Sequence, residues 1–221
     1  MLKETKNFPK LKKGWKKGKG DVIYEDPLYG RIQAVIHCKD DGLANYDSII
    51  FVEPTGSGII ILVDKNISEI YLHVEKRPVV MGDNKFDIKA GNLNVKLSKL
   101  GKDSIEVPRG FIDKHDKNSL SGAVREAEEE TGFKIFKKDI RKIGEINSNT
   151  SYFISNLTVY IAKVRDKATF KKLSDEESNK ISNGRWYSIK EVKGMIRKNK
   201  IFCALTLAAL SMAFCNLKTQ K

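Results

Sequence analysis

Apolar and polar positions alternate from Arg31 to Cys38 (RIQAVIHC), the period-two pattern of a half-buried strand. Two runs rich in Ile and Val follow, DSIIFVEP from Asp47 and GIIILVD from Gly58. The turn signal Pro54-Thr55-Gly56-Ser57-Gly58 separates them. Glu69 opens a further strand, EIYLHVEKRPVV, which ends near Pro78. Residues 81 to 101 hold Gly82, Asp83, Asn84, Gly91 and Gly101 and read as a hairpin excursion or a long loop. SIEVPRGFID, from Ser104, is a short strand running into a turn. Ser119 to Thr131 reads as a helix, with Asn118 or Ser119 able to cap it and Gly132 placed to stop it. NLTVYIAKV, from Asn156, is another strand. RWYSI, from Arg185, is a short strand before a helix from about Lys190, and a last helix runs from about Phe202. Strands outnumber helices and mix with them, so the class is α+β.

The chain has 221 residues, enough for one sizeable domain or one domain with a small appendage. Its 41 Lys and Arg against 28 Asp and Glu leave a formal charge of +13, which favours anionic partners but is equally what a basic solvated surface gives. Eight of the lysines fall in residues 1 to 20, which show almost no apolar pattern and read as a basic flexible arm with Trp15 inside it. Residues 21 to 57 form an N-terminal β region with a dimerising role in view, and residues 58 to 221 the main domain. Cys38, Cys203 and Cys215 lack metal-ligand spacing, and a reduced, cytoplasmic setting is the default. The 17-residue apolar stretch from Ile201 to Leu217 is interrupted by Thr206, Ser211 and Asn216, so a buried helix is expected there rather than a membrane span.

The chemistry concentrates in Gly110 to Phe133. On the predicted helix Glu126, Glu129 and Glu130 stand at i, i+3 and i+4, on one face. Three carboxylates on one face repel one another, and a hard divalent cation, which prefers oxygen ligands, offsets that repulsion. Arg125 in the same turn can neutralise and orient one of them. Phosphate esters resist attack because their oxygens are already negative. A metal neutralises that charge and makes hydroxide from bound water. A charged solvated helix face is the ordinary reading of an EAEEE run. Here Pro108-Arg109-Gly110 before it and Thr131-Gly132-Phe133 after it argue for the site.

This stretch resembles the Nudix box, G-x5-E-x7-R-E-U-x-E-E-x-G-U with U apolar. Arg125 to Phe133 fits every fixed position. The first half has one residue too many: the box's first Glu falls on Asp116, Lys117 reads as the insertion, and Gly122 stands where the helix usually has Ala. The resemblance implies a Nudix α/β/α sandwich with a mixed sheet, plus a small N-terminal antiparallel sheet. It implies that Glu126, Glu129 and Glu130 hold Mg²⁺, or Mn²⁺, with the Gly110 carbonyl as a further ligand and Arg125 as a brace.

Outside the box the chain is similar to the ADP-ribose (ADP-sugar) pyrophosphatase branch. Glu75-Lys76-Arg77-Pro78 is similar to a Gln-x-Arg-x-Pro-like segment whose Arg contacts phosphate or substrate. Gly14-Trp15 and Tyr24-Glu25-Asp26-Pro27 look like the N-terminal region in which a Trp stacks adenine, often in a swapped homodimer. Arg185-Trp186-Tyr187 and Thr206-Leu207-Ala208-Ala209-Leu210 resemble its later elements. Trp15, Arg77 and Arg109 are thus candidate substrate contacts. Glu176 or Glu177, in a loop with Asp175, is the candidate general base, with Glu129 or Glu130 as rival. The expected reaction is Mg²⁺-dependent hydrolysis of ADP-ribose or a related nucleoside diphosphate sugar to a nucleoside monophosphate and a sugar phosphate. An RNA 5′-end, cap or dinucleotide hydrolase served by the lysine-rich arm is the alternative enzyme. A non-catalytic nucleotide- or RNA-binding module is the alternative without turnover.

Overall fold

The computed structural model describes residues 19–25, 34–39, 48–52, 58–77, 87–90, 93–96, 103–149, 152–154, 156–168 and 170–218. Thirteen strands lie among them: β1 (Lys19–Glu25), β2 (Ala34–Lys39), β3 (Ser48–Val52), β4 (Gly58–Asp64), β5 (Glu69–Glu75), β6 (Asp87–Ala90), β7 (Leu93–Lys96), β8 (Ser104–Glu106), β9 (Arg109–Gly110), β10 (Ile140–Ile146), β11 (Phe153–Ile154), β12 (Leu157–Val164) and β13 (Ile181–Ser188). The helices are α1 (Ser119–Thr131), α2 (Asp175–Lys180), α3 (Ile189–Arg197) and α4 (Ala204–Lys218). Trp15 and the turn residues 53–57 lie outside the described residues.

The main sheet runs β10-β12-β4-β5-β13, with β8 paired to β5 and β9 to β4. It is mixed, because β12 lies parallel to β4 while the other pairs are antiparallel. Both faces are covered, which is why β4 is buried along its whole length and its sequence reads as one apolar run. Ile59, Ile61 and Val63 point to one side, where they pack with Val192 and with Ala209, Leu210 and Ala213 of α4. Ile60 and Leu62 point to the other, against Ala123 and Ala127 of α1 and the Phe133 that follows it. The result is an α/β/α sandwich. A second sheet, β1-β2-β3-β11, takes its last strand from far along the chain, Phe153 pairing in parallel with Phe51. β6 and β7 make a two-stranded hairpin, so the segment from 81 to 101 contains a hairpin excursion.

Helix α1 has the bounds expected from sequence. Asn118 accepts a hydrogen bond from the Ser121 amide at 3.0 Å, and the Ser121 hydroxyl closes a capping box. Gly132 ends the helix with φ of 70°, a left-handed conformation that favours glycine. β2 is described from Ala34 on, and the expected start at Arg31 lies outside the described residues. Two other elements differ from expectation. β13 begins at Ile181 rather than Arg185, because a bulge with Asn183 at a φ of 50° breaks the alternation. Asp175, Glu176 and Glu177 lie in the short helix α2, capped by Ser174, rather than in a loop. The apolar C-terminal stretch forms α4 and is packed on the sheet, and among the described residues no helix is long and apolar enough to cross a membrane.

Gly58 is where α1 comes closest to the sheet. A Cβ there would lie 2.5 Å from the Ala123 Cβ and 3.1 Å from the Ser119 carbonyl oxygen. Gly58→Ala is therefore expected to lever α1 off β4 and to cost about 1–3 kcal/mol, as overpacking of a tight core does. Urea unfolding checks this. An unchanged midpoint would show that the helix can shift freely.

Candidate functional site

A cavity of about 480 Å³ opens where β5, β9, α1 and α2 meet. Its acidic lining is Glu75, Glu126, Glu130 and Glu177, and its basic lining is Lys76, Arg77, Arg109 and Lys180. Gly110, Phe111, Ser148, Leu157 and Leu205 complete the wall. Charges of both signs on one small cavity suit a ligand that brings its own anionic groups and a cation.

The acidic side begins with α1. Glu126 and Glu130, one turn apart, both reach the cavity. Glu130 is almost wholly buried, and its carboxylate accepts the Arg109 backbone N–H at 3.1 Å. Burial, then the charges of Glu75, Glu126 and Glu177, hold its pKa well above the ordinary carboxylate range. Burial also raises the Glu126 pKa; Arg125 pulls it back, while Glu129 and Glu177 push it up. The Tyr71 hydroxyl is pushed up to about 12 by burial and by the nearby Glu130. Gly110 lies flat against Glu126, since a Cβ at Gly110 would overlap the Glu126 carboxyl.

Arg125 braces this side from behind. It donates to Glu126 at 3.0 Å, to Glu129 at 2.8 Å, to the Phe111 carbonyl at 3.0 Å and to Asp116 at 3.1 Å. Burial works against its charge, yet Asp116 and Glu126 raise its pKa overall. Asp116, the position of the box's first Glu, also accepts the Asp113 amide at 2.8 Å and so ties the box loop to the helix. The glycine at 122 gives it room: a Cβ there would come within 3.1 Å of the Asp116 carboxylate.

The basic side is built from strand ends. Arg77 follows β5 and Arg109 opens β9. Both turn onto Glu106 of β8, which is 1% exposed and lies outside the cavity lining. Arg77 also reaches Glu75 at 2.5 Å. Burial works to raise the Glu106 pKa, but Arg109 and Arg77 bring it down to about 2. His73, on the face of β5 shared with Tyr71 and Glu75, is fully buried, and its Nε2 lies 3.9 Å from Glu75.

Of the residues singled out from sequence, Arg77, Arg109, Gly110, Glu126, Glu130 and Glu177 come together around the cavity. Arg125 and Glu129 stand just behind it, paired at 2.8 Å. Glu176 faces outward and pairs with Lys180 at 2.5 Å. Glu75 and Glu106 were missed. Their signal was a carboxylate inside an otherwise apolar strand pattern, two residues before Arg77 and two before Pro108. Among the described residues no three His, Cys, Asp or Glu side chains stand arranged to hold a metal, and Arg125 is paired with both Glu126 and Glu129. The donors nevertheless fit a hard divalent cation in kind: crowded, repelling carboxylates beside a glycine that lets backbone approach.

Residues 90–205 match a family model described as the NUDIX domain. No curated protein matches the chain. The fold is similar to a solved structure described as an ADP compounds hydrolase, with a TM-score of 0.61 and 14% identity over 91% of this chain and 92% of that one. It is also similar to a NUDIX hydrolase from Nitrosomonas europaea, with a TM-score of 0.49 and 14% identity over 74% and 90% of the two chains. The first likeness supports the sandwich architecture described above.

Glu106 makes stability depend on pH. Its folded pKa of about 2 lies below the ordinary 4.5, so its ion pairs contribute fully above pH 4.5 and are lost as pH falls toward 2. The stability gap between the parent and Glu106→Gln is expected to be roughly 3 kcal/mol near neutral pH. It should narrow as pH falls from 4.5 to about 2. Urea unfolding over a pH series checks this, and a gap that does not change with pH would mean Glu106 is not ionised in the fold.

Proposed function

Since the chain belongs to the Nudix family, we propose that it hydrolyses the pyrophosphate bond of ADP-ribose or a related nucleoside diphosphate sugar, giving a nucleoside monophosphate and a sugar phosphate. The observation that carries this reading is the two-signed cavity. Buried carboxylates suited to a cation adjoin two arginines suited to a diphosphate, and the two-residue strand β9 belongs to both sides.

Glu126, Glu129 and Glu130, with the Gly110 carbonyl, would hold Mg²⁺, with Mn²⁺ as a substitute. The bound ion supplies charge neutralisation at phosphate and acidifies the attacking water. The chain's own residues do the rest. Arg125 keeps Glu126 and Glu129 oriented. Glu177, the α2 carboxylate that lines the cavity, takes the proton from the attacking water. Arg77 and Arg109 take the diphosphate charge, which otherwise repels a nucleophile. Leu157, Leu205 and Phe111 keep bulk water from part of the site. Trp15 keeps its assignment as the base-stacking residue by resemblance alone.

The test is to incubate the full chain with ADP-ribose and Mg²⁺ and separate the products. ADP-glucose, NADH and capped RNA run as parallel substrates. AMP and ribose 5-phosphate are expected from the parent. Glu130→Gln and Glu126→Gln should each lower turnover by about 100-fold or more, at least the loss seen when a residue supporting a metal ligand is removed. Glu177→Gln should lower kcat by a similar factor of about 100, the scale of a lost general base, with little change in KM. Cleavage of capped RNA with steep salt dependence, and none of ADP-ribose, would replace this substrate with RNA. Nucleotide binding without turnover under any divalent metal would make the chain a binding module.

A further inference from the structure

Arg77 and Arg109 come from separate strands, yet their guanidiniums meet on a single carboxylate. Glu106 Oε2 accepts Arg77 Nη2 at 2.9 Å, Arg109 Nη2 at 2.8 Å and Arg109 Nε at 2.9 Å, while Oε1 accepts Arg77 Nε at 3.3 Å. Two cations on one oxygen repel unless that oxygen is charged. Glu106 itself is fully buried beneath them. Both arginines line the cavity, and their Nη1 groups have no partner among the described residues. Each is therefore anchored on Glu106 through Nε and Nη2, with Nη1 held by no described residue. A guanidinium anchored in this way presents its remaining N–H groups in a fixed direction, which suits the oxygens of a phosphate.

We propose that Glu106 is a positioning residue that locks Arg77 and Arg109 into one paired-guanidinium cradle for the diphosphate of the substrate. It never touches substrate. It sets the angle and separation of two groups that do, and Glu75 fixes Arg77 from a second side. The cradle adjoins the acidic wall because Arg109 serves both: its side chain rests on Glu106, and its backbone N–H donates to Glu130. This inference rests on the reading that the site takes a diphosphate.

Charge and position make opposite forecasts for one variant. Glu106→Gln removes a negative charge beneath the cradle, so charge alone would tighten anion binding. If Glu106 acts by position, the arginines splay and binding weakens. Titrating inorganic pyrophosphate into the full chain in EDTA, followed by calorimetry, separates the two. We expect pyrophosphate to bind Glu106→Gln about tenfold more weakly than the parent, the scale of a lost charge-assisted contact. With ADP-ribose and Mg²⁺, KM should rise by a similar factor and kcat should change far less, whereas a merely structural defect would lower the active fraction and leave KM alone. Should Glu106→Gln fail to fold, Arg109→Lys keeps the charge and removes the fork, and it should weaken pyrophosphate binding to a similar extent. Unchanged or tighter binding in a folded Glu106→Gln would overturn the proposal. So would unchanged binding in Arg109→Lys, or no pyrophosphate binding by the parent. Glu106-dependent pyrophosphate binding in a chain that leaves ADP-ribose uncut would uphold the cradle and move the failure to the substrate reading.

Discussion

The contact between Gly110 and Glu126 is the constraint on which the site depends. No side chain fits at residue 110, because its Cβ would overlap the Glu126 carboxyl. That close approach fixes the distance from α1 to β9, and two other contacts hold the same distance. Gly58, paired with Gly110 across β4 and β9, lets α1 sit down on the sheet. The Arg109 amide then lies within reach of Glu130 at 3.1 Å. Sheet, short strand and helix are thus clamped together at three points, through three strand residues and one helix. A carboxylate as buried as Glu130 has one fixed hydrogen bond and three carboxylate neighbours that raise its pKa. It is costly for the fold to hold in that state. A metal-ligating site is one place where that cost is met by a bound partner, which is why a strongly perturbed buried acid in a cleft points to chemistry.

The arginines show the same logic with the signs reversed. Glu75 and Glu106 together neutralise Arg77 and Arg109, so this arginine pair adds little net charge to the cavity. What it offers is direction. Buried ion pairs contribute little net stability once desolvation is counted, and breaking one by removing a partner is expensive. Their presence beside the cavity is better explained by orientation than by fold stability, since both arginines line the same cavity as Glu126 and Glu130.

Helix α1 was legible because its signals are local: a cap at Asn118, a glycine at 132 and an apolar stripe between them. β4 was legible because burial on both faces writes itself as an unbroken apolar run. The strand β10 was not, since it edges the sheet with Arg141, Lys142 and Glu145 exposed and has a bulge near Gly144. The helix α2 was read as a loop because none of its residues is buried, leaving no apolar face to detect. The carboxylates of the box could be named from spacing along one helix. Glu106 could not, because its meaning comes from Arg77, 29 residues away just past β5, and appears only when β8 pairs with β5. Local periodicity finds what a helix gathers and is blind to what a sheet gathers.

The irregular first half of the box illustrates how a departure from a pattern can be absorbed. One extra residue lengthens the loop before α1, and a shorter acid, Asp116, stands at the position of the first Glu. Asp116 nonetheless reaches Arg125 at 3.1 Å, because the loop folds close over the helix at Gly122, where any larger residue would crowd the carboxylate. The insertion, the shorter acid and the glycine are three changes with one geometric effect. The glycine lowers helix propensity by about 1 kcal/mol relative to alanine. In return Arg125 gains a half-buried acidic partner outside the cavity lining, and Arg125 is the group that holds Glu126 and Glu129 in place. What looks in the sequence like erosion of the motif is, in the fold, a rearranged brace for the same carboxylates.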